Sequence, residues 1–152
     1  MNLIIVRHAK AQDRETCASD DLQRELVESG IKDSKKIAKY LSKRYKNIGL
    51  IVSSLALRSQ QTAKYILEQY KNTAYVIDPQ INPDSNIEGY IKYTEKHENI
   101  IIIGHEPNIS EVLYKICKIK NVIIKKSCII ELKYKDNTWQ LFGIKNIKDK
   151  ND

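Results

Sequence analysis

Four consecutive isoleucines, Ile100-Ile101-Ile102-Ile103, constrain this chain more than any other segment. A strand sends alternate side chains to opposite faces, so an unbroken apolar run suits a central parallel strand buried on both. The rest of the chain agrees with that placement. Apolar, β-rich runs at residues 2–6, 50–53, 74–77, 128–134 and 139–144 alternate with stretches of helical periodicity. Ile37, Ala38, Leu41 and Tyr45 share one face, and Ala63, Ile66, Leu67 and Tyr70 another; Ile109, Val112, Leu113 and Ile116 form the last. Ile87, Tyr90, Ile91 and Thr94 repeat the spacing after Asn82-Pro83, a pair that reads as a cap with proline at the first helical position. Asn108 and Glu111 are spaced like a capping box. The alternation predicts an α/β layered fold with a mostly parallel sheet. The last two strands, joined across Lys135-Asp136-Asn137-Thr138, read as an antiparallel hairpin at the sheet edge, where Lys133 and Lys135 discourage pairing with other chains.

A chain of 152 residues is expected to form one domain and to bury roughly 70% of its unfolded surface. The domain is assigned to residues 1–145, and residues 146–152 read as a polar tail. No apolar run approaches the roughly 20 residues that a membrane span needs, and the N-terminus does not read as a leader. Cys17, Cys117 and Cys128 are scattered, odd in number and without metal-ligand spacing, which suits a reducing cytoplasm. The net charge of +7 would attract anionic substrates. The lysines are spread along every segment with no basic-aromatic repeat, so neither nucleic acid nor a membrane is expected as a partner.

Three of the strands run into loops that bring a cation or an imidazole. The first ends in Arg7-His8-Ala9-Lys10, the second in Ser53-Ser54-Leu55-Ala56-Leu57-Arg58, and the isoleucine run in Gly104-His105-Glu106-Pro107. Parallel neighbours would gather all three sets at one sheet edge, where α/β proteins bind ligands. Two guanidinium forks and two imidazoles make an anion site, and specifically a phosphoryl site, because arginine matches phosphate oxygens bidentately. A helix starting near Pro107 would add backbone N–H groups. Lys10 reads as a solvated rim residue, and His97, in a Glu- and Lys-rich helix end, as surface.

These motifs resemble those of the histidine phosphatase superfamily. The likeness rests on Arg7-His8-Ala9, on Ser53-Ser54-x-Ala56-x-Arg58-x-x-Gln61-Thr62-Ala63 and on Gly104-His105-Glu106-Pro107, in that order. The short chain, with Asp21-x-x-Arg24-x-Leu26 followed by Gly30, is similar to the SixA-type phosphohistidine phosphatases. The resemblance implies a three-layer α/β/α sandwich of the phosphoglycerate mutase-like kind, and catalysis without metal or other cofactor. It implies that His8 is the nucleophile that becomes phosphorylated, that Arg7 and Arg58 bind the phosphoryl oxygens, and that His105 completes the pocket.

Two departures stand out. Leu55 occupies a position where the family carries proline, which implies a less rigid loop. Val27 stands where the family has a threonine that caps the first helix, so either Ser29 substitutes or the helix starts less sharply. The general acid is the larger gap: residues 81–88, with the candidates Asp84 and Glu88, do not match the proton-donor loop of mutase or sugar-phosphatase relatives, and the third candidate, Glu106, follows His105 where another branch of the superfamily carries an acidic donor. An alkoxide leaving group needs such a proton, worth roughly 10²–10⁴-fold in rate, whereas an imidazole leaves with little help. The leading expectation is therefore a metal-independent phosphatase acting on a phosphohistidine protein such as a phosphotransfer domain. A phosphatase of small phosphomonoesters or phosphoanhydrides is the alternative, and a catalytically weak phosphoprotein-binding module is a third. A monomer is expected.

Overall fold

The computed structural model describes residues 1–15, 20–96 and 98–147. Cys17, His97 and the end of the tail, 148–152, lie outside the described residues. Six strands form one sheet: β1 (Asn2–Arg7), β2 (Leu50–Ser53), β3 (Ala74–Ile77), β4 (Ile100–Gly104), β5 (Cys128–Lys135) and β6 (Thr138–Asn146). Their spatial order is β3-β2-β4-β1-β5-β6. The first four run parallel, and β5 and β6 add an antiparallel edge. Among the described residues, four helices cover the faces: α1 (Glu28–Arg44), α2 (Leu57–Leu67), α3 (Glu88–Ile91) and α4 (Asn108–Cys117). This is the expected three-layer sandwich.

The isoleucine run explains why the layers hold. Ile101 and Ile103 pack with Ile37 and Leu41 of α1 and Ala63 and Ile66 of α2. Ile100 and Ile102 pack on the opposite side with Tyr90 of α3 and Ile109, Val112 and Leu113 of α4. All four isoleucines are buried. One strand thus belongs to two cores, which is what its unbroken apolar sequence requires. A buried carboxylate adds a polar tie: Glu131 on β5 accepts hydrogen bonds from Arg44, Tyr45 and Tyr40, fastening α1 to the antiparallel edge.

Several local expectations shift. The hairpin turn is Asp136-Asn137, with φ of 53° and 59°, the left-handed pair that a two-residue type I′ connection demands. However, β5 lies between β1 and β6, so Lys133 is not at the edge; its ammonium sits 3.7 Å from the centre of the Phe142 ring. Asn82-Pro83 does not cap a helix. Asp78 instead caps a 3₁₀ turn at Pro79–Ile81 by accepting from the Gln80 N–H, and α3 waits until Glu88. Nor does Ser29 cap α1, which starts after Val27 with no side-chain cap. The Val27 N–H donates to the Lys10 carbonyl instead, docking the helix on the loop after β1.

Gly104, the last residue of β4, lies against Tyr90. A Cβ there would fall on the Tyr90 hydroxyl, which accepts the N–H of His105 at 3.1 Å. Gly104→Ala should therefore lower stability in urea by about 1–3 kcal/mol, as overpacking does. Tyr90→Phe should relieve part of that cost, making the double variant more stable than the two single losses predict. Strict additivity of the two changes would refute this packing.

Candidate active site

The register of two neighbouring strands builds the site. Arg7 on β1 lies opposite Gly104 on β4, so the next residue of each chain segment, His8 and His105, emerges at the same height. Their ring centroids are 5.0 Å apart. The His8 N–H donates to the Gly104 carbonyl at 3.1 Å, and the Ser127 N–H lies 3.1 and 3.2 Å from the carbonyls of Arg7 and His8. The backbone on either side of the pair is thereby fixed.

A single hydrogen bond sets the chemistry of His8. Its Nδ1 lies 2.8 Å from the Ala9 carbonyl oxygen. A carbonyl can only accept, so Nδ1 carries the proton and Nε2 keeps a lone pair. The Arg58 Nε–H points at that lone pair from 3.4 Å. His8 is 5% exposed, and its pKa is lowered from 6.5 to about 3. Burial is the main cause; the hydrogen bond to the Ala9 carbonyl opposes it, and the charges of Arg58, Arg7 and Lys126 add to it. The imidazole is held neutral more by loss of water than by its arginine neighbours.

Arg58, in the first turn of α2, is 2% exposed. Its terminal nitrogens are held by Asp21, NH1 donating to the backbone carbonyl at 2.9 Å and NH2 to Oδ2 at 3.1 Å. Burial lowers the guanidinium pKa, and the Asp21 charge opposes that shift. On its own, burial would raise the Asp21 pKa, but Arg58, Arg24 and Arg14 reverse this and leave it below the usual value. Arg24 and Arg14 pair with the same carboxylate at 3.0 and 3.2 Å.

His105 completes the cluster. Its Nε2 lies 2.7 Å from Ser54 Oγ and 3.1 Å from Ser59 Oγ, while among the described residues its Nδ1 is buried without a partner. Arg7 Nε is likewise buried and unpaired, although Arg7 NH1 donates to the Ile124 carbonyl at 2.7 Å. The tautomer in which both serine hydroxyls donate to Nε2 leaves Nδ1–H as an unused donor. An unpaired buried polar group costs about 1–3 kcal/mol, so two such atoms beside His8 suit a ligand rich in acceptor oxygens. Burial, then the charges of His8, Arg58, Arg7 and Arg24, lower the His105 pKa to about 2.

The structure therefore brings Arg7, His8, Arg58 and His105 together; none of the three carboxylate candidates hydrogen-bonds to these four, although burial lowers the Arg7 pKa and the charge of Glu106 opposes that shift. Both oxygens of Glu106 are occupied by Ser110, accepting its N–H at 2.7 Å and its hydroxyl at 2.6 Å. Glu106 is the acceptor at the start of α4, and the Asn108–Glu111 capping box does not form; Asn108 Nδ2 donates to the Ser85 carbonyl instead. The N–H groups of Ile109, Ser110 and Glu111 are used by the His105 carbonyl, Glu106 and the Pro107 carbonyl. They do not line the anion pocket as the sequence suggested. Asp84 borders a cavity of about 540 Å³ with Arg14, Asp20 and Asp21, while Glu88 borders a separate one with Gln80 and Asn86. Among the described residues, no group of three or more His, Cys, Asp or Glu residues is placed to hold a metal ion.

Some supporting residues escaped the sequence reading. Thr62 accepts the Ala9 N–H at 3.1 Å and donates to the Arg58 carbonyl at 2.7 Å, linking two site loops. Tyr90 read only as a helix-face residue, though a buried phenol always needs a polar partner. Leu55 does not loosen its loop: its N–H donates to Asn82 Oδ1 at 2.8 Å and its carbonyl accepts from Gln60 at 2.7 Å.

Comparison with known proteins adds the family. The model of the histidine phosphatase superfamily (branch 1) matches residues 3–82. No curated protein sequence matches the chain. Among solved structures, the protein histidine phosphatase SixA complexed with tungstate superposes with a TM-score of 0.84 at 18% identity, covering 97% of each chain. A protein assigned as the phosphohistidine phosphatase SixA of Agrobacterium tumefaciens gives 0.80 at 21% identity, covering 95% of this chain and 97% of that one. The alpha-ribazole phosphatase of Shigella flexneri gives 0.79 at 14%, again with 97% of each chain. Their common fold is that of this chain.

A neutral His8 has a measurable consequence. Its folded pKa of about 3 lies below the unfolded value near 6.5, so the unfolded chain binds the extra proton between those limits. Stability present above pH 6.5 should be lost as pH falls toward 3. His8→Asn should lose less stability than wild type between pH 7 and pH 4 in urea titrations. Nitrogen-15 shifts of His8 should report the neutral Nδ1–H tautomer at pH 6, and an imidazolium signal there would contradict the assignment.

Proposed function

This chain belongs to branch 1 of the histidine phosphatase superfamily and is a phosphatase; we propose that it is of the SixA type, acting on a phosphohistidine protein through a phosphorylated His8. The observation that carries this reading is the commitment of Glu106. Both of its carboxylate oxygens accept hydrogen bonds from Ser110, which ties the side chain to the start of α4. Asp84 and Glu88 make no hydrogen bond to the four-residue cluster. A site so built favours a leaving group that departs without an acid.

In this mechanism the Nε2 lone pair of His8 attacks phosphorus, and the bond from phosphorus to the substrate imidazole breaks. That imidazole, protonated on its other nitrogen, leaves neutral. Arg58, Arg7 and the Nδ1–H of His105 hold the three equatorial oxygens, where charge gathers during transfer. The Ala9 carbonyl keeps the His8 Nδ1–H and supports the charge that develops on the ring. Water then attacks the phosphohistidine, releasing phosphate and restoring the lone pair. The tungstate complex of a SixA relative is consistent with an oxyanion-accepting fold. Guanidinium groups supply the charge stabilisation, so the reaction should proceed in excess EDTA. The scattered cysteines fit action in the cytoplasm, and no helix among the described residues is long and apolar enough to cross a membrane.

The test is a paired assay in EDTA, with a phosphohistidine protein against a panel of phosphate esters. The protein should be the far better substrate, and a strong ester preference would favour the small-phosphomonoester reading. His8→Ala should abolish turnover. Arg58→Ala should cost on the order of 10²–10³ in rate, as the loss of one oxyanion donor does. Glu106→Gln, Asp84→Asn and Glu88→Gln should each fall well short of the roughly 10²–10⁴-fold loss expected on removing a general acid.

A further inference from the structure

Residues 112–130 contain Lys115, Lys118, Lys120, Lys125 and Lys126 and no acidic residue. This segment runs from α4 to the start of β5, and it walls a groove of about 590 Å³. The groove floor is apolar, formed by Ile87, Pro107, Leu113, Tyr114, Ile119 and Val122, and Glu111 is the single acidic residue in its lining. Tyr114 is 48% exposed, and the ammonium groups of Lys118 and Lys120 flank its ring at 5.8 and 5.0 Å. The neighbouring Ile123 is 79% exposed. Lys118 and Asn121 hold left-handed φ values of 59° and 61°, a conformation that non-glycine residues adopt at a cost.

The chain segments that line the groove also reach the site. Pro107 in its floor is two residues from His105, and the Ile124 carbonyl just beyond it receives Arg7. The charge of Lys126 reaches His8. We propose that this groove docks the protein substrate, by taking an acidic amphipathic helix beside the phosphohistidine: its apolar stripe against Tyr114, Ile119 and Val122, its carboxylates against Lys115, Lys118 and Lys120. The inference rests on the phosphohistidine-protein reading above. It adds what that reading leaves open, namely how a small pocket selects a macromolecule. An apolar floor rimmed by one sign of charge suits an amphipathic helix of the opposite sign.

The experiment compares two substrates, a phosphohistidine protein of net negative charge and free phosphoimidazole. The variants are Lys115→Glu/Lys118→Glu/Lys120→Glu and, separately, Tyr114→Ser. Each should lower kcat/KM for the protein, the triple variant by about 10-fold or more, and leave phosphoimidazole within about twofold. The salt dependence of wild type on the protein should flatten in the triple variant. Equal losses on both substrates, or no loss on either, would overturn the groove. So would unchanged protein turnover in a triple variant that has lost binding to phosphatidylserine vesicles, which would assign the face to a membrane. A wild-type enzyme that hydrolyses esters but not the phosphoprotein would overturn the substrate reading itself, and this inference with it.

Discussion

The parallel pairing of β1 with β4 places Arg7 opposite Gly104, and the site follows from that register. A shift of one residue would turn every side chain of one strand to the other face. His8 and His105 would then part, and the isoleucines of β4 would exchange cores. The slot of Gly104 resists this, since any residue with a side chain placed there would run into the Tyr90 hydroxyl. Packing that looks remote from chemistry thus fixes two imidazoles 5.0 Å apart.

Charge in this site is kept dry and balanced. Arg58 is nearly inaccessible to water, yet its terminal nitrogens rest on the backbone carbonyl and the carboxylate of Asp21, and the remaining Nε–H faces the reactive nitrogen. Asp21 in turn gathers three arginines. An incoming phosphoryl group meets donors that are already oriented, so little reorganisation is needed as charge develops. The neutral state of His8 comes from the same dryness, and it is the state that can attack.

Much of this was legible in the sequence because it depends on periodicity and strand ends. The isoleucine run, the six strands and the four helix faces are patterns in one dimension, and Arg7, His8, Arg58 and His105 stand where strands stop. What escaped depends on three dimensions. Asp78 outcompeted Asn82-Pro83 for a turn, and Glu106 took the start of α4 from Asn108 and Glu111, because local hydrogen-bond partners were decided by neighbouring loops. The dominance of burial over the arginines in holding His8 neutral is also invisible without knowing what covers the ring. The absence of any acid among the five lysines at 112–130 was readable, but the groove that they wall was not.

Leu55 offers a lesson about repairing sequences toward a family average. Proline at that position has no N–H, so it would abolish the donor that now ties the second loop to Asn82. The Asn82 side chain would have to find a new donor. In most chains a loop proline stiffens by limiting the unfolded state. Here the departure from the family has become part of the wiring, and restoring the common residue would unfasten the loop that carries Arg58.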